Sequence, residues 1–235
     1  MFQWYLFYVL CIMIELIEPM WGQDLLLWMH QVMQYPFFFE RLPVVADAFV
    51  FVYPVYLVVL YGWGMIENYK GWTLQSFSLK ESAVWIFIAA MGSTIFNMLV
   101  QVFLVKDRPD VVLDLLYQKR EDLILYDYLP EASFPSDHAT MSMAIAVATL
   151  LYGLRYKKKG YVYFSIFLFV ISGIMGYARI SIGIHWPTDV IGGYAVGIFL
   201  PLLLFKESIY WFIKRLISFF ILCETRLLAF LGLYK

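Results

Sequence analysis

Apolar residues along this chain come in long runs rather than in strict alternation. Crossing a bilayer core takes about 20 helical residues. Ala46–Ile66, Ala83–Val105, Gly160–Ala178 and Pro187–Phe205 each supply such a run with almost no internal charge. Ala139–Leu154 is shorter, but it extends N-terminally through polar residues. Phe2–Ile17 is marginal, with Glu15 near its end, and it lacks the basic leader and small-residue cleavage site of a signal peptide. Counting it gives six spans. Two further segments, Asp24–Tyr35 and Ser208–Tyr234, mix Trp, Phe and Leu with polar or charged residues. That mixture suits a helix lying in the headgroup region. The period-two pattern of a transmembrane barrel is absent. The expectation is therefore an all-α integral membrane protein. It would be a bundle of about six transmembrane helices with interfacial amphipathic helices, with residues 1–235 forming a single domain and 208–235 an interfacial tail.

Composition agrees: of 235 residues, 63% are hydrophobic and 15% charged, against about half and a quarter in soluble domains. A net charge of −1 leaves no basic footprint for nucleic acid. Cys11 and Cys223 lie far apart in apolar stretches, so they build neither a disulfide framework nor a thiolate metal site. Basic residues in short loops mark the cytoplasmic side. Arg155, Lys157, Lys158 and Lys159 fill the shortest loop, Lys70 and Lys80 flank another, and the C-terminal tail adds Lys206, Lys214 and Arg215. Six spans put all of these inside. Glu18–Asp47, Lys106–Asp137 and Arg179–Trp186 then share the outer side.

The unusual chemistry lies in those outer segments. Lys106-Asp107-Arg108-Pro109 ends one span, Ser133-Phe134-Pro135-Ser136-Asp137-His138 opens the next, and Arg179 with His185-Trp186-Pro187-Thr188-Asp189 precedes the last. Sidedness gathers them at one membrane face. Arg108 and Arg179 carry planar, always-charged donors suited to phosphate oxygens. Free backbone N–H groups at Ser136 and Asp137, opening a helix, also favour an anion, and Lys106 offers a point charge. His185 and Asp189 are four apart and expected on one helix face. There the carboxylate would hold one imidazole nitrogen protonated and leave the other free as a nucleophile. His138 is placed to protonate a leaving oxygen. Such a site would transfer a phosphoryl group through a phosphohistidine, with arginines stabilising the charge, no cofactor and no metal.

These residues resemble the type-2 phosphatidic acid phosphatase superfamily of integral membrane lipid phosphatases. That family's pattern is Lys, six residues, Arg-Pro, then Pro-Ser-Gly-His, then Ser-Arg, five residues, His, three residues, Asp. Arg108-Pro109, Pro135-Ser136 with His138, and Arg179 with His185 and Asp189 match it in order and spacing. The motifs lie within residues 101–189. Gln101 stands at the lysine position, Asp137 replaces the Gly and Ala178 replaces the Ser. Ser133–Ala139 and Gly183–Gly193 are most similar to the bacitracin-resistance branch of undecaprenyl pyrophosphate phosphatases. The resemblance implies His185 as nucleophile, Asp189 as its orienting carboxylate and His138 as general acid. It implies phosphate binding by Arg108, Arg179, Ser136 and the backbone at Asp137, with Lys106 or Gln101 as further candidates.

The expected activity is hydrolysis of a polyprenyl pyrophosphate to its monophosphate by a multi-pass inner-membrane protein whose site faces the periplasm. Alternatives are a phosphatase for phosphatidic acid or phosphatidylglycerol phosphate, a lipid phosphotransferase, or an inactive lipid-phosphate-binding protein. His30 reads as an ordinary interfacial residue. Gly173, Gly176, Gly192, Gly193 and Gly197 read as packing positions. The loop Asp110–Ala132 is either an amphipathic lid or a solvated connection.

Overall fold

A computed structural model of the chain describes residues 14–33, 35–69, 74–113 and 132–232. The described chain is helical apart from one pair of very short strands. In order it forms β1 (Ile14–Glu15), α1 (Met20–Val32), α2 (Pro36–Phe39), α3 (Leu42–Ala48), a 3-10 turn at Phe49–Phe51, and α4 (Val52–Tyr69). Then follow α5 (Leu74–Phe103), β2 (Leu104–Val105), α6 (Pro109–Val112), α7 (Asp137–Arg155), α8 (Lys159–Ser181), α9 (Pro187–Leu204) and α10 (Glu207–Phe230). Helices answer the demand of a lipid solvent, in which every backbone polar group must pair within its own segment.

Four described stretches are long and apolar enough to cross a membrane: Leu42–Tyr69, Phe77–Phe103, Lys159–Ser181 and Pro187–Leu204. They agree with four of the expected spans, and the chain is a multi-pass membrane protein. The fifth, α7, holds Asp137 and His138 in its first turn and is less apolar. It runs through the middle of the bundle against α5, α8 and α9. Twelve of its 19 residues are buried, many of them Ala, Ser or Thr, so its sequence is set by contact with neighbouring helices rather than with lipid. Small residues carry that contact, as expected where apolar burial gives helices no preference for one another over lipid. A Cβ on Gly193 would lie 2.6 Å from the Ser136 carbonyl, and one on Gly197 would lie 2.5 Å from that of Thr140. The packing expectation fails at Gly173, which faces open space.

Phe2–Ile17, counted as the sixth span, falls mostly outside the described residues. Residues 1–13 lie outside the described residues, and Ile14–Glu15 is extended chain, not helix, pairing in parallel with Leu104–Val105. That pairing holds the nearby Glu18 beside the end of α5.

The amphipathic segments also differ from expectation. α1 buries Leu26 and Met29 in a cluster with Ile180, Trp186 and Val190. His30 is buried rather than interfacial, and its Nδ1 donates to the Ser181 carbonyl at 2.7 Å, tying α1 to the end of α8. α10 lies at the opposite end of the bundle, where Tyr210, Ile217 and Ile221 pack with Trp85 and Tyr152. Two of its charges turn inward instead of toward headgroups. Lys214 pairs with Glu81 at 3.3 Å and Glu224 with Lys80 at 3.0 Å.

Candidate active site

α5, α7, α8 and α9 alternate in direction. The C-terminal ends of α5 and α8 and the N-terminal ends of α7 and α9 therefore meet at one end of the bundle. Arg108, Ser136, Asp137, His138, Arg179, His185 and Asp189 all lie there, mostly buried although polar. Buried polar groups at a helix-bundle end in lipid are costly unless paired, so their partners define the site.

His185 is not on α9. It precedes the helix, whose N-cap is Trp186 and whose first residue is Pro187. The expected four-residue spacing on one helix face is replaced by a capping arrangement. Asp189, in the first turn, turns its Oδ2 back to accept from the Trp186 N–H at 2.8 Å, which suits an acid at a helix N-terminus. The same oxygen accepts from the Ser133 hydroxyl at 2.5 Å and lies 3.5 Å from His185 Nδ1. Nδ1 is nearer still, at 3.0 Å, to the Ser133 carbonyl. A carbonyl oxygen only accepts, so Nδ1 carries the proton and Nε2 carries a lone pair.

That lone pair faces Arg179, whose Nη2 is 3.5 Å away. Arg179 is 1% exposed, and its other terminal nitrogen donates to the Ala46 carbonyl at 3.3 Å and to Asp47 at 3.2 Å. Asp47 compensates a charge that would otherwise be buried alone; breaking such a pair by removing one partner costs about 3–5 kcal/mol. Arg108 donates to the Ile184 carbonyl at 2.9 Å, which anchors the loop carrying His185.

Burial pushes the His185 imidazole down from its usual 6.5 to about 3, and Arg108 and Arg179 push the same way, against the pull of Asp189. The ring is thus neutral across the physiological range. Below pH 6.5 the unfolded chain binds a proton that the buried ring refuses, so this group's contribution to folding is fully present above 6.5 and is lost as pH falls toward 3. In 15N-histidine NMR the His185 ring should keep the signature of an Nδ1-protonated neutral imidazole from pH 8 down to about pH 5. A titration midpoint near 6.5 would contradict this.

Ser136 Oγ, His138 Nε2 and Arg179 Nε are among the polar atoms buried at this end without a partner. Ser136 occupies the N-cap of α7, yet its hydroxyl makes no capping bond; its backbone N–H donates to the Asp189 carbonyl at 3.0 Å. His138 lies close enough to Arg179, His185 and Arg108 to feel their charges. Two histidines and two arginines thus lie close enough to influence one another's charge.

Gln101 and Asp137 belong together. The Gln101 amide donates to the Pro135 carbonyl at 2.9 Å and to Asp137 Oδ1 at 3.1 Å, and Asn97 does the same at 3.1 and 2.7 Å. Asn97 in turn accepts from Thr140 at 2.8 Å. Gln101 therefore braces the turn that opens α7. Lys106 donates to Asp189 Oδ1 at 2.8 Å, to Glu18 at 2.5 Å and to Thr188 at 2.5 Å, so its ammonium is directed to carboxylates.

Sequence reasoning missed Glu18, Asp47, Asn97 and Thr188. A polar residue inside an apolar run was the available signal for Asn97. Asp47 stands at the mouth of a span. Nothing local marks Glu18 or Thr188. Residues 114–131, within the loop weighed as a lid, lie outside the described residues.

Comparison with known proteins identifies the family and the fold. The PAP2 superfamily profile matches residues 82–213. Among curated proteins the chain is similar to the undecaprenyl-diphosphatase BcrC of Bacillus subtilis (strain 168), 27% identical over 165 residues, covering 70% of this chain and 76% of that one. The putative undecaprenyl-diphosphatase YbjG of Escherichia coli (strain K12) is 26% identical over 156 residues, covering 65% of each chain. Among solved structures, LpxE of Aquifex aeolicus shares the fold with a TM-score of 0.54 at 21% identity, over 81% of this chain and 98% of that one.

Proposed function

This chain belongs to the PAP2 superfamily and is a membrane phosphatase; on that premise we propose that it removes the terminal phosphate of a polyprenyl pyrophosphate through a phosphohistidine at His185. The observation that carries the reading is the His185 ring itself. Its Nδ1–H is held on Ser133 and Asp189, and its Nε2 lone pair meets only the Arg179 guanidinium, at 3.5 Å, among the described residues.

Arg108, Arg179, Ser136 and the first N–H groups of α7 bind the terminal phosphate and spread the charge on its oxygens. His185 Nε2 attacks phosphorus. The bond to the bridging oxygen breaks, and His138 gives that oxygen a proton, releasing the lipid monophosphate. Asp189 stabilises the positive ring formed on attack. Water, deprotonated by His138, then attacks the phosphohistidine, releasing inorganic phosphate and restoring both histidines. The basic residues Arg155, Lys157, Lys158, Lys159, Lys206, Lys214 and Arg215 occupy the bundle end away from the site. By the positive-inside rule this distribution supports a site facing the periplasmic side of an inner membrane. Residues 1–235 act as one membrane-embedded catalytic domain. Among the described residues no cluster of three or more His, Cys, Asp or Glu side chains is arranged to hold a metal, and the arginines supply the positive charge.

Polyprenyl pyrophosphate ranks above phosphatidic acid because the similar protein from Bacillus subtilis carries the name undecaprenyl-diphosphatase. Detergent-purified protein should release phosphate from farnesyl or undecaprenyl pyrophosphate in EDTA, with kcat/KM at least about tenfold above that for phosphatidic acid, a difference of about 1.4 kcal/mol. Equal or reversed preference would move the substrate to a phosphomonoester lipid. A steep loss in EDTA would contradict an arginine-based mechanism.

A further inference from the structure

The PAP2 match begins at residue 82, yet a carboxylate from far upstream reaches the catalytic groups. Glu18 is 5% exposed. It is delivered by the β1–β2 pairing, which sets Ile14 opposite Leu104 and Glu15 opposite Val105. One of its oxygens accepts from Lys106 at 2.5 Å and from the Thr188 hydroxyl. The other is buried without a partner. Room for the carboxylate comes from Gly22, where a Cβ would lie 1.8 Å from Glu18 Oε1.

Lys106 bridges Glu18 to Asp189, which is fully buried. With Asp189 alone for company, this ammonium would cancel the one negative charge that faces His185. With Glu18 on its other side, the trio carries a net single negative charge. We infer that Glu18 is a positioning residue for catalysis: by neutralising and holding Lys106, it leaves the Asp189 carboxylate electrostatically available to His185. This role rests on His185 being the nucleophile. Attack on phosphorus makes the His185 ring cationic while Nδ1 keeps its proton. A net negative neighbour stabilises that state more than the neutral resting ring, so the effect falls on turnover rather than on substrate binding.

A double-mutant cycle reads the charge count. With farnesyl pyrophosphate as the probe, Glu18→Gln should lower kcat about 10–100-fold, the range typical of outer groups that orient a site. KM should stay within about threefold, since the phosphate-binding groups are untouched. Removing the cation as well, in Glu18→Gln/Lys106→Met, restores the wild-type net charge around Asp189. That variant should recover roughly tenfold or more of the lost kcat, a strongly non-additive result. Gly22→Ala, which displaces the carboxylate without changing any charge, should lower kcat in the same sense as Glu18→Gln.

Wild-type turnover with Glu18→Gln within about twofold of it would overturn the proposal. So would a double variant at or below the weaker single variant, because losses that merely add indicate a structural part. If Glu18→Gln shows no cooperative melt, the double variant decides. If that fails to fold too, Glu18 is a structural residue and the proposal falls. A wild-type protein inactive on every lipid phosphate would instead fail the phosphohistidine reading itself.

Discussion

His185→Ala abolishes phosphate release, with kcat reduced by roughly 10⁴-fold or more, on the scale seen when a covalent nucleophile is removed. The size follows from the site's construction. Ser133, Asp189 and the loop anchored by Arg108 all serve to orient this one ring. The change should be clean in structural terms. His185 makes its hydrogen bond to the Ser133 backbone carbonyl, at 3.0 Å, while Asp189 keeps Lys106, the Ser133 hydroxyl and the Trp186 N–H. Cys223→Ser on exposed α10, far from the site, is the matching control and should retain turnover. Residual activity of His185→Ala within about tenfold of wild type would mean that water attacks phosphorus directly.

His138→Ala separates the two halves of the cycle. Protonation by His138 matters less in the first half when the leaving group is a phosphate monoester, whose second ionisation lies near pH 6. A lipid alkoxide needs the proton far more. In the second half His138 must take a proton from water whatever the lipid was. With a polyprenyl pyrophosphate the variant should therefore still form phosphohistidine but hydrolyse it slowly, lowering steady-state kcat about 10²–10⁴-fold. Rapid quench should show a phosphate burst on the protein. With phosphatidic acid both halves slow, and no burst should appear. A variant with no burst on either lipid would assign His138 to the first half alone or to phosphate binding.

Much of this site is legible in the chain, and the part that is not has a physical reason. The four long apolar runs are visible because lipid exposure is a one-dimensional property of a helix: nearly every residue of a span must be apolar. The three motifs are visible because each is local, at a helix end, where Pro, Ser and an acid have positional meaning. α7 is harder to read, since its residues satisfy neighbours rather than lipid, and only its Ala and Ser content hints at that. The spacing of His185 and Asp189 suggested a shared helix face; Pro187 instead starts the helix after His185, and Asp189 folds back to cap it. Lys106, Glu18 and Asp189 meet across 88 and 83 residues of chain. No periodicity encodes such a meeting. Gln101 illustrates the same limit. At a family lysine position it looks like a weakened phosphate ligand, but with Asp137 and Asn97 in view it is the brace of the turn that opens α7.

The covalent intermediate is the point on which every role above depends. His138→Ala protein, mixed briefly with a polyprenyl pyrophosphate and quenched in alkali, which preserves a phosphorus–nitrogen bond, can be digested and fragmented by mass spectrometry. A phosphohistidine mechanism predicts one phosphate per chain, on His185 and attached through Nε2. Phosphate on another residue, or inorganic phosphate released with the protein unmodified throughout, would contradict it.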